Sequence, residues 1–122
     1  MRALIEHGRL RTCHDISDGG LLVAIAEMAL VGGIGAAVET PPDATGPLLQ
    51  AWLFGEDQGR YLIAVPAADV ASIEVEAGRA GVPLRRIGRV GGTELTLDGK
   101  HAISLAALRA ANESWLPRFM SP

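Results

Sequence analysis

One cysteine stands in the 122 residues, so no internal disulfide can form, and Cys13 has no second thiol with which to build a zinc site. With no secretory leader pattern at the start, that usage fits a reducing, cytoplasmic compartment. Aromatic residues make up only 4% although 48% of the chain is hydrophobic. Mean hydropathy is +0.24. The core must therefore be built of Ala, Val, Leu and Ile, small aliphatics that suit helices packed closely on a sheet. No excess of positive charge exists: the net charge is −3. Without a basic stripe or interleaved aromatics, no nucleic-acid partner is expected. No long hydrophobic run exists either. The longest, Leu21 to Val31, falls short of the roughly 20 residues that cross a bilayer, so no membrane partner is expected.

What is present is enough for one domain spanning 1–122 that buries about two-thirds of its unfolded surface. Residues 1–10 read as a helix weakened by Gly8, and 12–16 as a short strand. A second helix is expected from Asp18 to Val31, N-capped by Ser17 and stopped by Gly32-Gly33. Residues 35–39 read as a strand, 40–43 as a turn and 46–54 as a helix ended by Gly55. Arg60 to Val65 reads as a mostly buried strand and 67–80 as a helix closed by Gly81 and Pro83. Three short strands follow near 84–90, 93–97 and 101–104, joined by hairpin turns at Gly91-Gly92 and Asp98-Gly99. A last helix covers 105–115, with Pro117 beyond its end. Interleaved helices and strands that finish in hairpins predict an α/β (α+β) fold, a mixed sheet with helices packed on it. Met1 leads directly into a helical pattern, as in a piece cut from a longer protein.

The chemically suggestive run is Cys13-His14-Asp15-Ile16-Ser17-Asp18-Gly19-Gly20, leading straight into the apolar helix. Two readings stand side by side. One is a helix cap with a glycine pair that permits close packing. The other is a backbone aimed at an anion, such as a phosphate, with Mg²⁺ or a donor group on the substrate offsetting the two aspartates. Each glycine in a first helical turn costs about 1 kcal/mol against Ala, so the pair calls for a reason. Asp15 is not needed for capping, which makes it the candidate metal ligand. A second run, Phe54-Gly55-Glu56-Asp57-Gln58-Gly59-Arg60, places Arg60 at the opening of a buried strand. There it either neutralises the local acids or, oriented by Glu56, grips a phosphate.

The other candidates read more simply. Cys13 is expected to be a buried small residue, and His14 a packed or hydrogen-bonded group. His7 and His101 are expected at the surface. The helix 21–31, apolar all round but for Glu27, is expected to be covered on more than one side, by this domain or by a neighbour. No catalytic residue can be assigned from spacing.

The run His14 to Leu21, with Ala26-Glu27-Met28-Ala29 and Gly32-Gly33-Ile34-Gly35, resembles the C-terminal domain of the aminoimidazole ribonucleotide synthetase superfamily. Within it, Leu53 to Tyr61, Ile87 to Gly92 and the tail Leu108 to Pro117 resemble the last domain of the phosphoribosylformylglycinamidine synthase family, synthetase subunit. The resemblance implies a fragment of a longer multidomain ligase of purine biosynthesis. Such an enzyme uses ATP, Mg²⁺ and ammonia to convert formylglycinamide ribonucleotide to its amidine, releasing ADP and phosphate. The ammonia is derived from glutamine by a glutaminase subunit, in a complex with a small accessory subunit. It further implies that Asp15, Ser17, Asp18, Gly19, Gly20, Glu56 and Arg60 line a substrate- and phosphate-binding cleft, and that the fragment alone is inactive. The apolar helix and the high hydrophobic fraction add the expectation that the isolated domain self-associates. Selenophosphate synthetase, thiamine monophosphate kinase and the hydrogenase maturation dehydratase are the related alternatives. A non-enzymatic module binding a phosphorylated metabolite is the unrelated one.

Overall fold

The computed structural model describes residues 1–10 and 12–120, without the side chains of Trp115 and Leu116. The part of the tail motif formed by those two side chains lies outside the described residues. In chain order the elements are α1 (Arg2–Glu6), β1 (Thr12–Asp15), α2 (Gly20–Gly32), β2 (Ala36–Val38), α3 (Pro47–Phe54), β3 (Tyr61–Ala64), a 3-10 turn (Ala67–Asp69) leading into α4 (Val70–Arg79), β4 (Gly88–Val90), β5 (Glu94–Leu97), β6 (His101–Ser104) and α5 (Leu105–Met120). The expected mixed sheet is present as four strands in the order β4-β2-β5-β6, and β1 with β3 makes a separate antiparallel pair. No helix among the described residues is long and apolar enough to cross a membrane.

Burial organises these parts around α2. Its inner face presents Leu21, Ala24 and Ile25, which join Ile16 and Val38 in one buried cluster. Leu62 from β3 and Ala36, Leu95 and Leu97 from the four-stranded sheet pack against that cluster. One helix thus holds both sheets, and each fully buried Leu or Ile contributes roughly 1.5–3 kcal/mol. The opposite stripe of α2 is not covered: Val23 and Val31 are exposed. At its C-terminal end Arg109 of α5 donates to the Leu30 carbonyl oxygen at 2.8 Å, satisfying a carbonyl that the last turn leaves without a partner.

Four local expectations are corrected. Ser17 does not cap α2. The helix starts two residues later than expected, because Ser17 to Gly20 form a turn closed by the Gly20 N–H on the Ser17 carbonyl oxygen at 3.0 Å. Gly91-Gly92 is not a hairpin turn. β4 and β5 lie on opposite sides of β2, β4 antiparallel to it and β5 parallel. The glycines instead wrap the start of β2, with Gly91 N–H donating to the Gly35 carbonyl and Gly35 N–H to that of Gly92. The strand expected at 84–90 is confined to 88–90, the only part that finds β2 as a partner. Helix α5 runs through Pro117 to Met120. Proline removes one rung of the ladder but its fixed φ is already helical. The Asp98-Gly99 turn does join β5 to β6, with both residues at positive φ (53° and 64°). The Asp98 carboxylate also accepts from the backbone N–H and hydroxyl of Thr40 at 2.7 and 2.8 Å. Those bonds hold its pKa below the usual carboxylate value.

The two glycines at the entrance of α2 have a packing reason. Gly19 and Gly20 sit at φ 83° and 77°. A Cβ on Gly20 would lie 2.5 Å from the backbone carbon of Phe54. Replacement by alanine would combine left-handed strain with a collision against main chain. Gly20→Ala is expected to lower the unfolding free energy by about 2–3 kcal/mol, measurable by urea denaturation. A loss below about 0.5 kcal/mol would contradict the packing.

Candidate functional site

Antiparallel pairing of β1 with β3 places Asp15 opposite Tyr61. One step further, Ile16 N–H donates to the Arg60 carbonyl oxygen at 2.9 Å. The two motifs, far apart in sequence, thereby face each other across a cleft of about 300 Å³. Asp15, Ser17, Asp18, Glu56 and Arg60 all line it. Gly19 and Gly20 do not: they stand behind the rim, in the turn that packs on α3. Gln58, Gly59 and Tyr61 also line the cleft. Their position within the second motif was the available signal, but none of the three carries a charge that would single it out.

The polar groups are largely engaged with one another. The Gly19 N–H donates to Glu56 Oε1 at 2.8 Å, and the Gly20 N–H to Ser17. Both entrance amides expected to face an anion are thus used internally. Arg60, whose side chain is 27% exposed, donates to the carbonyl oxygens of Trp52 at 3.3 Å and Gly55 at 3.5 Å. Its guanidinium closes the C-terminal end of α3, where the helix dipole favours a cation. Glu56 does not orient it; the nearby carboxylate is Asp57, at 3.8 Å. The cleft therefore carries three carboxylates (Asp15, Asp18, Glu56) against one guanidinium already in use. It suits ligand groups that donate hydrogen bonds or carry positive charge better than a bare phosphate.

Neither Mg²⁺ nor a triphosphate finds a complete seat here. Among the described residues no three His, Cys, Asp or Glu side chains gather as a metal cluster. Asp15 is 70% exposed. Mg²⁺ is commonly held by one or two carboxylates together with phosphate oxygens, so these residues alone do not make a site for it.

His14 is hydrogen-bonded, as expected, and bridges two elements. Its Nδ1 lies 2.5 Å from the Asp15 carbonyl oxygen, and its Nε2 lies 2.8 Å from Glu27 Oε2 on α2. Both ring nitrogens face acceptors, an arrangement that only the doubly protonated ring can satisfy. The Asp15 carbonyl first, then the Glu27 and Asp15 carboxylates, raise its pKa above 6.5. Cys13, the residue before it on the strand, points the other way and is exposed, not buried as expected. Among the described residues β1 pairs only with β3. Partial burial and the Asp15 carboxylate still push the Cys13 thiol pKa upward. His7 and His101 are exposed.

The profile of the family described as "AIR synthase related protein, C-terminal domain" matches residues 1–100. The chain belongs to that family. Over 121 residues it is 52% identical to the phosphoribosylformylglycinamidine synthase subunit PurL of Parvibaculum lavamentivorans, covering 99% of this chain and 16% of that protein. It thus spans about one-sixth of the length of the curated relatives it matches. Among solved structures, Thermotoga maritima PurL complexed with ATP superposes with a TM-score of 0.69 at 20% identity, over 87% of this chain and 20% of that one. The same protein complexed with FGAR gives 0.69 as well. Thiamine-monophosphate kinase from Stenotrophomonas maltophilia gives 0.65 at 24% identity, over 75% of this chain and 32% of that one. At those identities the structures speak for the fold alone.

The His14 bridge has a pH signature. A raised folded-state pKa adds stability that is fully present below the unfolded value of about 6.5 and is lost as pH rises through the folded value. Thermal denaturation of wild type and His14→Gln is expected to show a gap that is wider at pH 6 than at pH 8.5. A gap independent of pH, or one that widens upward, would contradict the doubly donating ring.

Proposed function

We propose that this chain is one domain of the synthetase subunit of phosphoribosylformylglycinamidine synthase. The longer protein would be a cytoplasmic, ATP-dependent carbon–nitrogen ligase of purine biosynthesis. The observation that carries this reading is the 52% identity to PurL along 99% of the chain. The reaction converts formylglycinamide ribonucleotide and glutamine-derived ammonia to the amidine, with ADP and phosphate released. Ammonia would come from a glutaminase subunit, in a complex with a small accessory subunit. ATP would transfer its terminal phosphoryl group to the amide oxygen, releasing ADP, and ammonia would then displace that phosphate; residues outside this chain would hold most of the phosphate and any metal.

The part left to this chain follows from its chemistry. Asp15 and Asp18 present acceptors at an open cleft, suited to hydroxyl, amide or amino groups of a ribonucleotide substrate. Ser17 adds a hydroxyl on the same rim. Arg60 shapes the wall by holding the end of α3. The kinase alternative shares the fold, with a TM-score of 0.65, but at 24% identity, so the long, high-identity match favours the ligase. The exposed Val23 and Val31 on α2 support self-association of the chain when it is produced alone.

The longer protein containing this chain is expected to form the amidine from formylglycinamide ribonucleotide, ATP, Mg²⁺ and ammonia, followed as ADP release. The 122-residue chain by itself is expected to show no turnover and to scatter light as more than a monomer. Turnover by the isolated chain would overturn the fragment reading. Phosphorylation of thiamine monophosphate by the longer protein would move the assignment to the kinase.

A further inference from the structure

We propose that Glu56 is a positioning residue: its carboxylate caps α2 from another loop and sets the spacing across the cleft. The Gly19 N–H donates to Glu56 Oε1 at 2.8 Å, a bond between residues 37 positions apart. No side chain at the start of α2 makes a cap of its own, because the capping position is glycine. Of the donors that a helix N-terminus leaves unpaired, this one is served by the second motif. A carboxylate near that end is also favoured by the helix dipole.

Two further contacts make the bond a spacer as well as a cap. Gly20 approaches the Phe54 backbone so closely that no Cβ fits between them. Ile16 N–H is bound to the Arg60 carbonyl oxygen on the far side of the loop. Residues 55–60 are therefore fastened at both ends to the segment 16–20, and Glu56 is the fastening that a side chain supplies. Without it, the Gly19 amide loses its acceptor, and the loop that carries Gln58, Arg60 and Tyr61 along the cleft wall is held only at its ends. Glutamine keeps a carbonyl oxygen at the same reach and so keeps the bond, in weaker form, without the charge.

The test compares Glu56→Ala and Glu56→Gln in the longer protein that contains this chain. Hydrogen exchange of the amides of residues 17–22 reads the fastening directly and does not depend on any activity. Steady-state kinetics with ATP and formylglycinamide ribonucleotide read its consequence, and this arm rests on the synthetase reading. Glu56→Ala is expected to speed exchange at least about tenfold. It is also expected to raise KM for one of the two substrates about tenfold, with kcat changed less than about threefold. Glu56→Gln is expected to recover most of both losses. Equal damage from the two variants would overturn the proposal and make the charge itself a ligand contact. Unchanged exchange in Glu56→Ala would overturn it too. If Glu56→Ala does not fold, exchange in Glu56→Gln decides: near wild type supports the fastening, and acceleration above about tenfold refutes it. If no form of the protein makes the amidine, the synthetase reading falls while exchange still decides the role of Glu56.

Discussion

The approach of α2 to the end of α3, with nothing but hydrogen on the Gly20 Cα between them, is the constraint from which the cleft follows. Because the helix begins against the Phe54 backbone, the turn 17–20 and the loop 55–60 must lie side by side. Once they do, Gly19 and Glu56 are within hydrogen-bond reach. The β1–β3 pair supplies the orthogonal constraint by setting Asp15 opposite Tyr61. Close packing of one helix and register of one strand pair thus place every lining residue. No long-range electrostatic attraction is needed to assemble them, and the cleft's three carboxylates would oppose it.

Much of this was legible in the chain. Strong punctuation marked the elements: Gly33 after α2, Gly55 after α3 and Asp98-Gly99 between β5 and β6. Both motifs could be named from residue types alone, and five of the seven residues chosen from them line one cleft. Local sequence could not reveal who pairs with whom. Gly91-Gly92 has the composition of a hairpin turn, yet β2, some fifty residues earlier in the chain, occupies the place between β4 and β5. Cys13 has the character of a core residue, but burial depends on whether a second layer covers its strand. Glycine in a helix entrance is equally ambiguous: bare backbone can face a ligand or another backbone, and only the tertiary contact at Phe54 decides between them.

The same ambiguity bears on Ser17. As a hydroxyl before a helix it reads as a cap, the commonest role for serine there. In the folded chain its carbonyl closes the preceding turn and the helix begins too late for its side chain to serve. The cap has been taken over by a carboxylate from elsewhere, which leaves the Ser17 hydroxyl on the rim of the cleft. Transferring a cap from a local to a distant residue couples the helix entrance to the loop that provides it. The bond from Gly19 to Glu56 then joins the Gly20–Phe54 packing and the Ile16–Arg60 bond in holding the helix entrance against the cleft wall.

Fold alone does not select a reaction for such a scaffold. A synthetase and a kinase superpose on this chain almost equally well, at TM-scores of 0.69 and 0.65. Both structures are covered by this chain only in small part, so whatever distinguishes their chemistry must lie in side chains on the rim and in surfaces the chain does not contain. The rim here is acidic, and its main-chain donors are consumed by the chain's own Glu56 and Ser17. A wall of that kind contributes little to holding phosphate. Its free acceptors, Asp15 and Asp18, suit the donor-bearing portion of a ligand, and under the proposed function the anionic portion falls to other residues. On that reading the glycines of the first motif serve packing against Phe54, and its carboxylates face the end of the substrate that bears no phosphate.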